Sequence, residues 1–139
     1  MTDLDPDRDP EAETALAEKW RAVLASHATT SCAIDRELGE TFGLGVSEFE
    51  LLERLWEYEQ EEHLTGSRAQ VLSESVHLSQ SAFSRLVARM EKAGLVQRSM
   101  CADDRRGIFI TLTDEGRERY RKARPVHRRI LAEKLGGQG

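Results

Sequence analysis

The chain has only two cysteines among 139 residues, too few for a disulfide framework, and Cys32 and Cys101 form no C-x-x-C pair suited to a structural zinc. It has no apolar run approaching the ~20 residues of a membrane span. Residues 1–10 carry neither the basic start nor the apolar core of a secretory signal, so a cytoplasmic protein is expected. Glycine-rich phosphate loops, G-x-S-x-G and H-E-x-x-H are all missing. No nucleophile with a base and no metal box is visible, which argues against an enzyme and calls for no cofactor and no metal.

What is present is charge, 32% of the residues, and it is unevenly divided. Residues 1–64 hold 5 Lys/Arg against 17 Asp/Glu, and residues 65–139 hold 15 against 8, so the net of −5 conceals a basic second half. A nucleic-acid partner would sit there. The length fits one domain with one core, which at this size buries roughly two thirds of the unfolded surface.

Residues 1–10, with two prolines, acidic side chains and nothing to bury, read as a disordered lead-in. From Glu11, the residues Leu16, Trp20, Val23, Leu24, His27, Ser31, Ile34 and Leu38 recur at threes and fours and draw a stripe along one long helix ending near Gly39. So long a stripe on so short a chain calls for a second copy to cover it. Ser47 and Glu50 have capping-box spacing for a second helix with Phe49, Leu52, Leu55 and Trp56 inward, and the charge run 57–62 reads as its solvated end. Ser67 and Gln70 repeat the spacing and open a short helix buried through Val71, Leu72 and Val76.

The stretch 78–116 is the most informative. Ser79 caps a helix whose inward face is Phe83, Leu86, Val87 and Met90, while Gln80, Ser81, Ser84, Arg85, Ala88, Arg89 and Lys92 form a small, hydrogen-bonding and cationic outer face. Gly94 is placed to end it in the left-handed conformation. Residues 95–101 and 107–112 have strand character around the polar turn ADDRR. Thr113 then starts a last helix, with Tyr120, Ala123, His127, Ile130 or Leu131, and Leu135 inward and Pro125 expected to bend it. The fold class is mainly α with a small β-hairpin wing: a winged helix-turn-helix lobe over 47–113, between long helices over 11–46 and 114–135, all within a single domain 11–139.

This stretch resembles the MarR family of winged-helix transcription regulators. Asp104, Arg106, Leu112, Thr113 and Gly116 match the family's wing signature; Leu78, Ser79, Gln80 and Ser81, with Gly94, Leu95 and Val96, match the two ends of its recognition helix. The resemblance implies a homodimer, joined by helices from both ends of each chain, that binds a pseudo-palindromic operator in double-stranded DNA and is released by a small ligand or an oxidant. The chain departs from the family at His77, where glycine is frequent, and it ends soon after Leu135, where many members continue into a further dimerising helix. More of the dimer contact would then fall to the long first helix.

On the winged-helix reading, Ser81, Ser84, Arg85 and Arg89 face the major groove, and Ser79 and Gln80 lie where helix amides meet phosphate. Asp104 braces Arg106, which enters the minor groove, and Arg98 and Arg105 contact phosphates. The resemblance also implies an effector pocket between the dimer helices and the winged helix; Trp20, His27, Ser31 and Trp56 are its candidate lining, suited to a phenolic or aromatic acid. Two other readings stay open: a thiol sensor at Cys32, and a winged-helix module that docks protein and binds no DNA. A metal site of His27, Cys32, His63 and His127 has no ligand spacing to support it. Arg106→Ala should weaken operator binding by at least ~1–3 kcal/mol while the circular dichroism spectrum stays unchanged. Equal affinity in a gel-shift titration at fixed salt would remove the wing from the mechanism.

Overall fold

A computed structural model describes residues 9–61, 67–100 and 108–136 of the chain. The order is α1 (Pro10–Phe42), α2 (Val46–Glu61), β1 (Ser67–Arg68), α3 (Ala69–Ser75), α4 (Gln80–Lys92), β2 (Val96–Met100), β3 (Ile108–Leu112) and α5 (Asp114–Leu135). The strands form one antiparallel sheet in the order β1-β3-β2, with Ser67 opposite Ile110 and Val96 opposite Leu112. The mainly helical class with a hairpin is as the patterning predicts. No described helix is long and apolar enough to cross a membrane.

Helix α1 begins at Asp9, whose carboxylate accepts from the Glu11 N–H with Pro10 at the first helical position, and its 33 residues extend ~50 Å. It runs past Gly39, because the left-handed stop is supplied by Gly43 (φ 67°), whose N–H reaches the Gly39 carbonyl while Leu44 reaches that of Leu38. Helix α2 starts one residue before Ser47, which is therefore not its cap. Glu48 reaches back to the Gly45 N–H at 3.0 Å, and Asp35 on α1 takes the Val46 N–H at 2.9 Å, so the entry of α2 is tied to α1.

The Ser67 and Gln70 box is likewise absent: Ser67 pairs with β3, and Arg68 occupies the cap position with no side-chain bond. Helix α3 buries Leu72 and Ser73 but leaves Val71 exposed, contrary to the expected inner face, and Leu135 at the end of α5 is also exposed. Glu59, within the run expected to be solvated, instead accepts two hydrogen bonds from Arg117 at 2.8 and 2.9 Å.

The core joins Leu38, Phe49, Leu51, Leu52, Leu55, Leu72, Leu86, Met90, Ile110, Tyr120 and Ile130, so every helix and the sheet contribute to one interior. Between α3 and α4 the chain turns at His77 with φ 58°, a left-handed conformation that histidine adopts more readily than most side chains. The other end of α4 is closed by Gly94 (φ 79°), with the Leu95 N–H on the Met90 carbonyl at 2.9 Å. Thr113 meets this turn: its N–H bonds the Leu95 carbonyl at 3.1 Å, its hydroxyl donates to the Gly94 carbonyl at 2.6 Å, and the same oxygen accepts the Gly116 N–H. Helix α5 then continues through Pro125 as a single element.

At Gly116 an added Cβ would lie 2.1 Å from the Leu95 carbonyl oxygen, a backbone atom that cannot step aside, whereas at Gly136 it would meet nothing within 4 Å. Gly116→Ala should therefore destabilise the protein by at least ~1–3 kcal/mol in urea unfolding. Gly136→Ala should stay within ~0.5 kcal/mol of the parent. Equal losses in the two variants would contradict the close approach.

Candidate nucleic-acid interface

Helix α4 divides cleanly. Phe83, Leu86, Val87 and Met90 are buried, and Gln80, Ser81, Ser84, Arg85, Ala88, Arg89 and Lys92 are all exposed. Ser79 caps it by accepting the Ala82 N–H at 3.2 Å. Ser81, Arg85 and Arg89 follow one another at four-residue intervals, so the two guanidiniums originate ~6 Å apart along the axis, about two base-pair steps. An α-helix fits the ~12 Å width of a major groove, and this face offers donors and small side chains where base edges would lie.

The cations differ in their surroundings. Arg85 has no hydrogen bond or ion pair with the described residues, whereas Arg89, 60% exposed, reaches Glu48 of α2 at 3.4 Å. Arg98 on β2 lies opposite Ile110 and turns toward α4, pairing with Glu91 at 2.9 Å. Neither carboxylate partner was legible in the sequence, since the pairs join residues 41 and 7 apart on different elements. Asp104, Arg105 and Arg106 lie outside the described residues.

The basic half is not one free positive surface. On α5, Arg117 pairs with Glu59, Arg128 with Glu53, and Arg129 with Glu37, so much of the surplus answers acidic groups on α1 and α2. Tyr120 donates to Glu53 at 2.8 Å, and burial raises its pKa. His127 is stacked on Phe49 with ring centroids 4.0 Å apart, and burial, then the neighbouring Arg128, lowers its pKa to about 4.

Beside this cluster a groove of about 550 Å³ runs between α1, α2 and α5. Of the four side chains expected to line a pocket, His27 and Ser31 border it. Trp56 does not: it packs on Tyr120 with ring centroids 5.3 Å apart, because its position on α2 faces the core. Trp20 does not border it either and stands 59% exposed on α1. Thr30, Glu50 and His127, which sequence reasoning did not place here, border the groove; Cys32 is exposed on α1.

Comparison with known proteins bears on this architecture. The model of the MarR family matches residues 44–108. AbsC, a MarR family transcriptional regulator from Streptomyces coelicolor, is 30% identical, with 96% of this chain and 82% of that one covered and a TM-score of 0.76. A second MarR family regulator of Streptomyces coelicolor, whose structure is in complex with DNA, is also 30% identical, with 98% and 81% covered and a TM-score of 0.81. The chain belongs to the MarR family.

The MarR matches are transcriptional regulators and not enzymes. An uncharacterized HTH-type transcriptional regulator of Bacillus subtilis, YdgJ, is 29% identical over 93 residues, 67% of this chain; the chain spans about half, 53%, of that curated relative. The MarR motif residues acquire physical reasons here. Leu112 is core, Thr113 caps α5 and ties it to Gly94, and Gly116 admits the Leu95 carbonyl. His77 holds the turn that glycine often makes in MarR proteins without losing its left-handed geometry.

The Arg89–Glu48 contact places an internal carboxylate in competition with any anion that α4 meets. An exposed pair of this kind is worth ~0.2–1 kcal/mol. Glu48→Gln keeps an acceptor for the Gly45 N–H and should tighten DNA binding by up to ~1 kcal/mol. The gain should vanish when Arg89→Ala is added, and a fluorescence-anisotropy titration in which Glu48→Gln leaves affinity unchanged or weaker would exclude the competition.

Proposed function

We propose that the protein is a homodimeric, sequence-specific DNA-binding regulator of transcription, a repressor released by a small-molecule effector. The observation that carries this reading is the outer face of α4, made of small, polar and cationic side chains and held on a buried inner face next to the β2–β3 hairpin. Ser81, Ser84, Arg85 and Arg89 meet base edges, Ser79 and Gln80 meet phosphate at the helix N-terminus, and Arg98, released from Glu91, joins Arg105 on the backbone. Arg106, braced by Asp104, enters the minor groove from the wing. The DNA in the complex of the 30% identical Streptomyces coelicolor regulator supports the same role here.

The dimer rests on residues 11–46 and 114–135, with 47–113 as the DNA-binding lobe. Leu16, Trp20, Val23 and Leu24 on α1, and Leu135 on α5, are large apolar side chains that this chain leaves 47–59% exposed. Their clustering on the outer turns of the long helices favours a second copy over solvent. The groove between α1, α2 and α5 is the effector site, with His27 and Ser31 in its wall.

Sedimentation should give a dimer, and footprinting on selected genomic fragments should show two protected half-sites ~10 bp apart. Affinity should fall steeply with salt, as phosphate contacts require. A protein that captures another protein independently of salt and protects no DNA would be the winged-helix interaction module instead.

A further inference from the structure

We propose that His127, Arg128 and Glu53 form an acid-sensitive latch between α2 and α5, closed while the imidazole is neutral and weakened when it takes up a proton. The latch works whether or not the neighbouring groove holds an effector.

His127 lies on the inner face of α5, only 4% exposed, with its ring stacked on Phe49 of α2. Arg128 Nη1 stands 2.6 Å from His127 Nδ1. A guanidinium has only N–H groups to offer and no acceptor, so Nδ1 accepts, the ring is neutral, and its one proton sits on Nε2. The other terminal nitrogen of Arg128 donates to Glu53 of α2, and the same Glu53 oxygen accepts the Tyr120 hydroxyl at 2.8 Å. Arg128 therefore fastens α5 to α2 and fixes the imidazole at once. A proton on Nδ1 would set two N–H groups face to face and two positive charges side by side, so the ring cannot charge without opening this contact.

The surrounding charges do not offset that cost. On α2, Glu53 is already taken by Arg128 and Tyr120, and Glu50 Oε2 is 3.9 Å from His127 Nε2, beyond hydrogen-bond range. Arg54, near Glu50, is paired with Glu57 at 3.2 Å. On α5 the other nearby cation is Arg124, which acts on Tyr120. From α1, Lys19 and the exposed His27 border the same groove as His127 and add no negative charge. Burial, then Arg128, lower the His127 pKa to about 4. A free imidazole titrates near ~6.5, so the closed latch loses nothing above that pH. As the pH falls from there toward 4, an opened or unfolded ring binds a proton that the closed one refuses, and opening is favoured by up to ~tenfold per pH unit. Glu50 acts in the opposite sense: burial, then Glu53, raise its pKa, so acid relieves its crowding.

Urea unfolding of the full-length protein at fixed concentration tests this, in a Trp20→Phe background where Trp56, packed on Tyr120, is the remaining tryptophan reporter. Between pH 7 and pH 5 the unfolding constant should rise at least ~tenfold more in this parent than after His127→Gln, which removes the titrating ring. His127→Phe, which keeps an aromatic ring against Phe49, should match His127→Gln and stands in for it if the glutamine variant does not fold. His27→Gln should keep the parent's pH dependence. In nitrogen-15 NMR of the unmutated protein the His127 ring should be neutral with its proton on Nε2 at pH 7 and remain neutral at pH 5. The same pH dependence in the parent and the His127 variants, or its loss in His27→Gln, overturns the proposal. A ring that carries its proton on Nδ1 at pH 7, or is charged at pH 5, overturns it independently of any variant.

Discussion

The structure depends on one crowded junction, where the end of α4, the start of β2 and the start of α5 share two carbonyl groups. The Leu95 carbonyl accepts the Thr113 N–H and lies against Gly116, and the Gly94 carbonyl accepts the Thr113 hydroxyl at 2.6 Å. Each bond alone contributes about 0.5–1.5 kcal/mol. Their importance is geometric, because they fix the helix that presents Arg85 and Arg89 against the hairpin strands and the long α5 at once. Without such a junction α4 would present the same side chains in no fixed register. Glycine at 116 is a consequence of that close approach rather than of backbone flexibility, since it lies inside the first turn of a helix.

Charge organises the rest of the chain. The acidic amino-terminal half and the basic carboxy-terminal half meet across α1, α2 and α5, so the imbalance visible along the sequence is largely internal complementarity in space. Arg117 and Arg128 hold glutamates whose side chains are only 13% exposed, where removing either partner would leave a poorly solvated charge. The consequence for the surface is selective. Arg117, Arg128 and Arg129 on α5 serve the fold, and α4 keeps Arg85 free of intramolecular partners among the described residues while Arg89 and Arg98 are held at the surface.

Features set by neighbouring residues were legible in the sequence: the period of α4, its Ser79 cap, the left-handed stop at Gly94 and the Thr113 start of α5. Features set by distant partners were not. Ser67 and Arg68 become a strand only because β3 lies beside them, and that pairing displaced the capping box their spacing suggests. The start of α2 is chosen by Asp35, eleven residues away, and not by Ser47. Trp20 and Trp56 carry the same residue type to opposite environments, one exposed on α1 and one against Tyr120, a distinction that depends on how α1 and α2 pack. The groove lining followed the same rule: His27 and Ser31 sit on the α1 stripe, but Thr30, Glu50 and His127 come together only after three helices assemble.

The first turn of α2 is where the groove and α4 come nearest to sharing a part. Val46 and Glu50 border the groove, and Glu48 between them holds both the Gly45 N–H and Arg89 of α4. Asp35 fastens the same turn to α1 through the Val46 N–H. On the effector reading proposed above, an occupant of the groove that displaced Val46 or Glu50 would move Glu48 with them, since the three share one helical turn. Any such coupling would run through five consecutive residues rather than through the width of the core. The Glu48–Arg89 contact is long, 3.4 Å, and at the surface, so it contributes little to holding α2 and α4 together.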